Sequence, residues 1–117
     1  MRLRTDIFVS AVIRQAEIQG AVAMLRRRGA AEAGAVFIKI DCLDGRTAIF
    51  GPAPQSEAVA DGIDRLFTRI HAAVWLDSND SEDLISRQIS FDQDLWLIEI
   101  EDRQGRVFVD VLPNTDL

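Results

Sequence analysis

Two residue types that build chemical sites are almost missing from this chain of 117 residues, which has one cysteine, Cys42, and one histidine, His71. A single cysteine excludes an intrachain disulfide and any metal cage that needs several thiolates. A single histidine excludes a His–His metal pair and leaves one imidazole as a possible general base. We therefore expect a cytoplasmic protein with no metal and no cofactor.

Long apolar runs and an excess of positive charge are also lacking. The apolar stretch at residues 7–13 contains Ser10 and ends at Arg14, so it falls far short of the roughly 20 residues that a membrane span needs. We expect no targeting segment and no membrane partner. The formal net charge is −6, and the field of such a protein repels phosphate backbones, so nucleic-acid binding is disfavoured.

What the chain does contain is the composition of a globular protein. Apolar residues make up 48% and charged residues 27%, which is ordinary for a folded domain. At this length one hydrophobic core is the expectation. We predict a single domain over residues 1–117 of the α+β class, with an N-terminal helical segment, a mostly antiparallel sheet of about five strands, and one helix near residues 80–90 packed on it.

Three stretches predict helices. Phe8, Val12 and Ala16 recur at a spacing of four, which predicts an amphipathic helix from about Thr5 to Gly20. Residues 21–28 are rich in helix-forming residues and precede a glycine, so they are predicted to form a second short helix, or to continue the first beyond a kink at Gly20. The third helix, near residues 80–90, follows several residues of the N-capping type.

An antiparallel hairpin is predicted in the first half of the sequence. Residues 35–43 and 46–51 flank Asp44-Gly45, a dipeptide typical of tight hairpin turns. Prolines follow this hairpin, so a loop is expected to start there. Residues 56–75 are compatible with a helix and also with a loop followed by a strand. Their periodicity does not decide between these two structures.

A second hairpin is predicted near the C-terminus. Residues 95–102 alternate towards their end, with Trp96, Ile98 and Ile100 on one face and Glu99 and Glu101 on the other, which indicates a strand with one apolar face. A turn at Gly105 leads into a second alternating stretch at residues 107–111. These two stretches are predicted to pair.

Four stretches of the sequence are distinctive enough to indicate a family, but they contain no recognisable catalytic or binding motif. They are Arg2-Leu3 through Ile13-Arg14, Arg27-Arg28-Gly29 with Ala33-Gly34-Ala35, Gly51-Pro52-Ala53-Pro54-Gln55, and Phe91-Asp92-Gln93-Asp94-Leu95-Trp96 running on to Glu99-Ile100-Glu101-Asp102. Together they resemble a family of small bacterial proteins catalogued only as a domain of unknown function, which usually has proline where this chain has Gln93. The resemblance implies one α/β domain with a strand at about residues 65–74, and it implies no activity.

A run of arginines is the first candidate site. Arg26, Arg27 and Arg28, together with Arg14, are candidates for binding a small anion or a nucleotide. At the end of a predicted helix, however, their charges would complement the negative end of the helix dipole. The order helix, loop, strand and the absence of Gly-Lys-Ser/Thr argue against a phosphate-binding P-loop.

Carboxylates form the second candidate site. Asp92, Asp94, Glu99 and Glu101 can hold a hydrated metal ion or serve as an acid and a base, or they can simply turn the chain and keep a surface soluble. Residues 77–88 invite comparison with a calcium loop, but its sixth position is not glycine and its twelfth is not glutamate. Helix capping is the better interpretation of that segment.

Three single residues complete the candidates. Cys42 and His71 would resemble a nucleophile with its base if their strands were neighbours, although a thiol in an apolar strand is more often buried and inert. Trp75, near a strand end, belongs either to the core or to a contact with a partner protein.

No complete catalytic set emerges, so the sequence favours a non-enzymatic interaction or regulatory module. Its partner is an unknown protein or a second copy, and an edge of the sheet is the expected contact. One alternative is a small-anion or nucleotide-binding domain that uses the arginines. The other is a hydrolase or lyase built on Asp92, Asp94, Glu99 and His71.

Overall fold

The structure is a computed structural model that describes residues 3–54 and 65–113. In chain order its elements are α1 Thr5–Ile18, β1 Val22–Arg27, β2 Val36–Asp41, β3 Thr47–Pro52, β4 Phe67–Arg69, α2 Ser78–Phe91 and β5 Trp96–Glu101. The strands form one sheet in the order β1-β5-β2-β3-β4. The β2–β5 pair is parallel and the other three pairs are antiparallel. The predicted α+β class with a mostly antiparallel sheet is confirmed.

The sheet lies between the two helices, and its residues alternate between two apolar clusters. On one face, Ile38 and Ile98 are fully buried in the cluster that contains the buried residues of α1. On the other face, Leu97 packs with Ile85 of α2. The predicted alternation along β5 is therefore confirmed, because its even-numbered apolar residues face α1.

The first and third predicted helices are confirmed as α1 and α2. The spacing of Val9, Val12 and Ala16 places all three on the buried side of α1. The chain leaves α1 at Gly20, whose φ of +90° lies in the left-handed region that glycine adopts without a steric cost. At the start of α2, the Asp77 side chain accepts a hydrogen bond from the Asp80 amide at 2.7 Å. Among the described residues, no helix is long and apolar enough to cross a membrane.

The prediction of a helix over residues 21–28 is wrong, because this stretch forms β1. It pairs antiparallel with β5, with Val22 opposite Glu101 and Met24 opposite Glu99. Ala23 and Leu25 pack from the other side of the strand against the cluster beneath α1. All four residues are apolar, which hides the strand alternation, and pairing with β5 overrides their local helix propensity.

The predicted second hairpin is also wrong. Both sides of β5 are occupied, by β1 and by β2, so residues 107–111 cannot pair there. After Gly105 the chain instead reaches β4, where Val111 forms a single parallel bridge with Phe67. Phe108 has a φ of +66°, which interrupts any extended strand in this stretch.

The remaining strand predictions hold where the structure describes the chain. The hairpin formed by β2 and β3 is confirmed, with Lys39 opposite Ile49. The strand expected within residues 65–74 is confirmed as β4, which supports a loop followed by a strand. Part of the open segment, residues 56–64, lies outside the described residues.

Candidate functional site

The two outer strands of the sheet, β4 and β1, differ in length and in whether another segment of the chain bonds to their outer side. β4 has three residues, and the C-terminal stretch lies against it: the Phe67 amide donates to the Asp110 carbonyl at 2.9 Å, and the Leu112 amide donates to the Phe67 carbonyl at 2.8 Å. β1 has six residues. Across the described ranges 3–54 and 65–113, its backbone bonds to no strand other than β5. We call the outer side of residues 22–25 the open β1 edge.

Apolar side chains flank the open β1 edge. Val22 is 54% exposed and Met24 is 38% exposed, on the sheet face that also carries α2. Ala23 and Leu25 are half-buried on the opposite face. The register with β5 shifts between Leu25 and Arg27, so the regular part of the edge ends where the arginines begin.

A network of charged side chains beside this edge connects α2 to the sheet. Glu82 of α2 accepts hydrogen bonds from Arg26 Nη2 at 2.8 Å and from Lys39 Nζ at 2.7 Å. Arg26 Nη1 also donates to Glu99 Oε1 at 2.9 Å. The Lys39 side chain is only 5% exposed. A buried ammonium group is tolerated only when it is paired, so the fold depends on the carboxylate that Lys39 meets.

These contacts fix the charge states of the network. The hydrogen bond from Arg26 is the main reason that the pKa of Glu82 falls to about 2, and Lys39 lowers it further. The same bond to Glu82 raises the pKa of Arg26 above its ordinary value. Neither group is therefore poised to exchange a proton near neutral pH, which general acid–base catalysis requires.

Three carboxylates meet on the same sheet face. Oxygen atoms of Asp41, Glu99 and Glu101 all lie within 4.8 Å of one another, because the parallel register of β2 and β5 places Asp41 beside Glu101. Oxygen ligands of this kind suit Mg²⁺ or Ca²⁺. Arg26 already pairs with Glu99, and acidic groups often cluster without an ion. The arrangement permits a cation without indicating one.

The structure divides the predicted carboxylate cluster into two pairs. Asp92 ends α2, and its Oδ1 accepts a hydrogen bond from the Asp94 amide at 2.9 Å, which shapes the turn before β5. Glu99 and Glu101 lie further along β5 and meet Asp41. A role of these four carboxylates in holding a metal ion or in catalysis stays a prediction.

The structure also separates the predicted arginine cluster. Arg26 belongs to the network above, and Arg27 Nη2 donates at 2.7 Å to a backbone carbonyl of the turn before β5. The guanidinium of Arg28 lies 5.1 Å from the ring centroid of Trp96, and Arg14 is exposed on α1. Since three of the four lie in or directly after a strand, the helix-dipole interpretation is wrong.

His71 is held by the backbone on both sides of its ring. Its Nε2 accepts a hydrogen bond from the Ile49 amide at 3.0 Å, so its Nδ1 carries the proton that is donated to the Ala73 carbonyl at 2.7 Å. Cys42 is 2% exposed, and burial raises the pKa of its thiol. With no free ring nitrogen and a disfavoured thiolate, these two residues do not form a nucleophile and its base.

Trp75 packs half-buried against the core on the α1 side of the sheet. The guanidinium groups of Arg46 and Arg69 lie 4.9 and 5.9 Å from its ring centroid. The chain's own residues thus already provide the packing and cation–π contacts that a tryptophan makes. A contact between Trp75 and a partner stays a prediction.

Sequence reasoning missed three residues of the charged surface, Asp41, Lys39 and Glu82. One signal was present, since Lys39 is a single charge inside the apolar run of β2. A charge at such a position needs a paired carboxylate from another element. Nothing local indicates that this carboxylate comes from α2.

A mixed five-stranded sheet with a helix on each face places the chain among the small α+β proteins. The family model described as "Protein of unknown function (DUF1491)" matches residues 3–110. The chain belongs to the DUF1491 family, which confirms the resemblance noted in the sequence.

Solved structures of similar proteins agree with this assignment. A crystal structure of a DUF1491 family protein from Caulobacter crescentus CB15 is 35% identical, with a TM-score of 0.78, and the alignment covers 97% of this chain and 100% of that one. The solution structure of protein Atu0922 from A. tumefaciens is 33% identical, with a TM-score of 0.81 and complete coverage of both chains. An NMR structure of a DUF1491 family protein from C. crescentus CB15 is 37% identical, with a TM-score of 0.79, and covers 97% of this chain and 99% of that one. No curated protein matches the chain.

Proposed function

We propose that this protein is a non-enzymatic interaction module of the cytoplasm that associates with a second copy of itself through the open β1 edge. The difference between the two sheet edges carries the proposal. β4 is short and is joined by residues 110–112, whereas β1 has twice its length and no such cover among the described residues. A cytoplasmic location fits a chain whose one cysteine is a free thiol with no second cysteine to form an intrachain disulfide.

Residues 22–25 carry none of the features that usually keep an edge strand from pairing. In natural proteins, edge strands are kept from pairing with another chain by proline, by charged side chains, by bulges or by a covering segment. Here the four residues are Val22, Ala23, Met24 and Leu25, and the bulge comes only after them. An apolar strand with free backbone donors and acceptors is a template for a further strand.

An antiparallel pair centred on Met24 satisfies this edge with a second copy. Two-fold symmetry then places Met24 opposite Met24 and Ala23 opposite Leu25 of the other copy. The exposed apolar side chains of both copies become neighbours on the α2 face. Cross-strand apolar pairs of this type each contribute about 0.2–1 kcal/mol beyond the backbone hydrogen bonds.

The non-enzymatic part of the proposal is supported by how the titratable groups are used. His71 binds backbone groups through both nitrogens, Asp92 accepts a hydrogen bond from the Asp94 amide in the turn before β5, and Glu99 pairs with Arg26. The four residues of the hydrolase hypothesis therefore each have different hydrogen-bond partners. The arginines of the anion-binding hypothesis likewise have different neighbours, so neither alternative is favoured.

Light scattering coupled to size-exclusion chromatography, across a wide concentration range, tests the proposal. We expect the wild type to form a dimer and Met24→Lys to remain monomeric, since it places like charges opposite each other at the two-fold axis. Phe91→Lys is the matched control, because Phe91 is 84% exposed at the far end of α2, and it should dimerise like the wild type. A wild type that stays strictly monomeric at high concentration would refute the proposal.

A further inference from the structure

Directly after β4, the side chain of His71 replaces a backbone carbonyl as the hydrogen-bond acceptor for an amide of β3. The Ile70 amide donates to the Ile49 carbonyl at 3.1 Å, which continues the β3–β4 ladder by one bond. The Ile49 amide, however, donates to Nε2 of His71 at 3.0 Å. A backbone amide can only donate, so this bond exists only while Nε2 carries no proton.

We infer that His71 is a proton-sensitive latch that holds the segment of residues 71–75 on β3. In the neutral imidazole, Nε2 accepts from Ile49 and Nδ1–H donates to Ala73. In the imidazolium both nitrogens carry protons. Two N–H groups then face each other at Ile49, and the latch opens.

The latched segment is anchored independently at its far end. Thr47 and Leu76 exchange two backbone hydrogen bonds, each 2.8 Å long. At the other end, the bond from the Ile70 amide to the Ile49 carbonyl does not involve the imidazole. Opening the latch therefore frees residues 71–75, while β3 and α2 keep their places. Trp75 lies in this freed stretch, so its packing is the part of the core that responds to the proton.

The charged surroundings of His71 favour the closed state at neutral pH. β3 contributes no ionisable side chain, β4 contributes Arg69, and the first ionisable residue after His71 is Asp77. Burial lowers the pKa of His71 from its ordinary value of 6.5 and the positive charge of Arg69 lowers it further, although the bond to the Ala73 carbonyl works in the opposite direction. Since the folded-state pKa is depressed, the stabilisation is complete above pH 6.5 and is lost as the pH falls through the folded pKa.

NMR of the full chain, labelled with nitrogen-15, tests the latch directly. At neutral pH the ring should carry its proton on Nδ1. On acidification, the Ile49 amide should exchange about fivefold faster than the pH alone explains, the size expected for the loss of one hydrogen bond. The indole signal of Trp75 should shift with the same midpoint as the imidazole, below pH 6.5, while the indole signal of Trp96, which donates to Ala30, stays in place.

His71→Gln is the matched variant, because its side-chain carbonyl can accept from the Ile49 amide and does not titrate. Its Ile49 and Trp75 signals should not respond over the pH range in which the wild type titrates, and its Trp96 signal reports that the fold is intact. If the neutral His71 imidazole of the wild type carried its proton on Nε2, that result alone would contradict the inference. Unchanged Ile49 and Trp75 signals across the imidazole titration would contradict it equally.

Discussion

Replacing Gly29 with alanine should destabilise the protein strongly, because the space that the new methyl group needs is already filled. An added Cβ would clash with the Asp94 carbonyl oxygen and lie 2.6 Å from the Leu95 carbonyl carbon. Both are backbone atoms, which cannot rotate away as a side chain can. Gly29 does not have a positive φ, so in open space alanine would stabilise the chain by about 0.4–1 kcal/mol through the unfolded state.

The magnitude follows from the bonds that cross this contact. The Ala30 amide donates to the Asp94 carbonyl at 2.9 Å, and the Trp96 amide donates to the Ala35 carbonyl at 2.7 Å. Making room for the methyl group moves the start of β5, at a packing cost of about 1–3 kcal/mol. Weakening one of the hydrogen bonds adds about 1 kcal/mol. We expect a loss of about 2–4 kcal/mol, out of a typical total of about 5–15 kcal/mol.

Urea denaturation followed by circular dichroism measures this loss. The matched control is Gly45→Ala, where φ is +92° and no heavy atom lies within 4 Å of the added Cβ, so only left-handed strain of about 1–2 kcal/mol is expected. In a thermal scan, Gly29→Ala should melt about 8–16 °C lower, at about 4 °C per kcal/mol. A Gly29→Ala protein as stable as the wild type would refute the proposed contact between this corner and β5.

Two further substitutions test single contacts of α2. Glu82→Gln should destabilise the protein at neutral pH because it removes the carboxylate that pairs with Arg26 and Lys39. Since the pKa of Glu82 falls from 4.5 to about 2, the difference in urea midpoint from the wild type should shrink as the pH drops through that window, and a difference independent of pH would contradict the pairing. Asp77→Ala should cost about 1 kcal/mol in urea denaturation, because it removes the side-chain cap of the Asp80 amide; a change below about 0.3 kcal/mol would show that the cap contributes little.

The sequence predicts the elements whose signals are local. A spacing of four on α1, the Asp44-Gly45 turn between β2 and β3, and the capping residues before α2 each specify their structure within a few neighbouring residues. The alternation along β5 also predicts which of its faces is apolar. These predictions are confirmed because local geometry and burial favour the same conformation there.

The errors fall where local preference and sheet pairing disagree. Val22 to Leu25 are compatible with a helix, and they become β1 only because β5 offers them an unpaired side. Residues 107–111 have the alternation of a strand, but β5 has no free side left for them. Long-range pairing decides both cases, and periodicity along the chain does not contain that information.

The sequence by itself determined the class of fold, the composition of the core and the shortage of catalytic groups. Only the tertiary structure decided which charges meet, since Glu82, Lys39 and Arg26 come from three different elements. It likewise decided that His71 binds the backbone and that β1 lies at an open edge. The physical reason is that burial follows from residue type and spacing, whereas a contact between distant residues depends on which strands become neighbours.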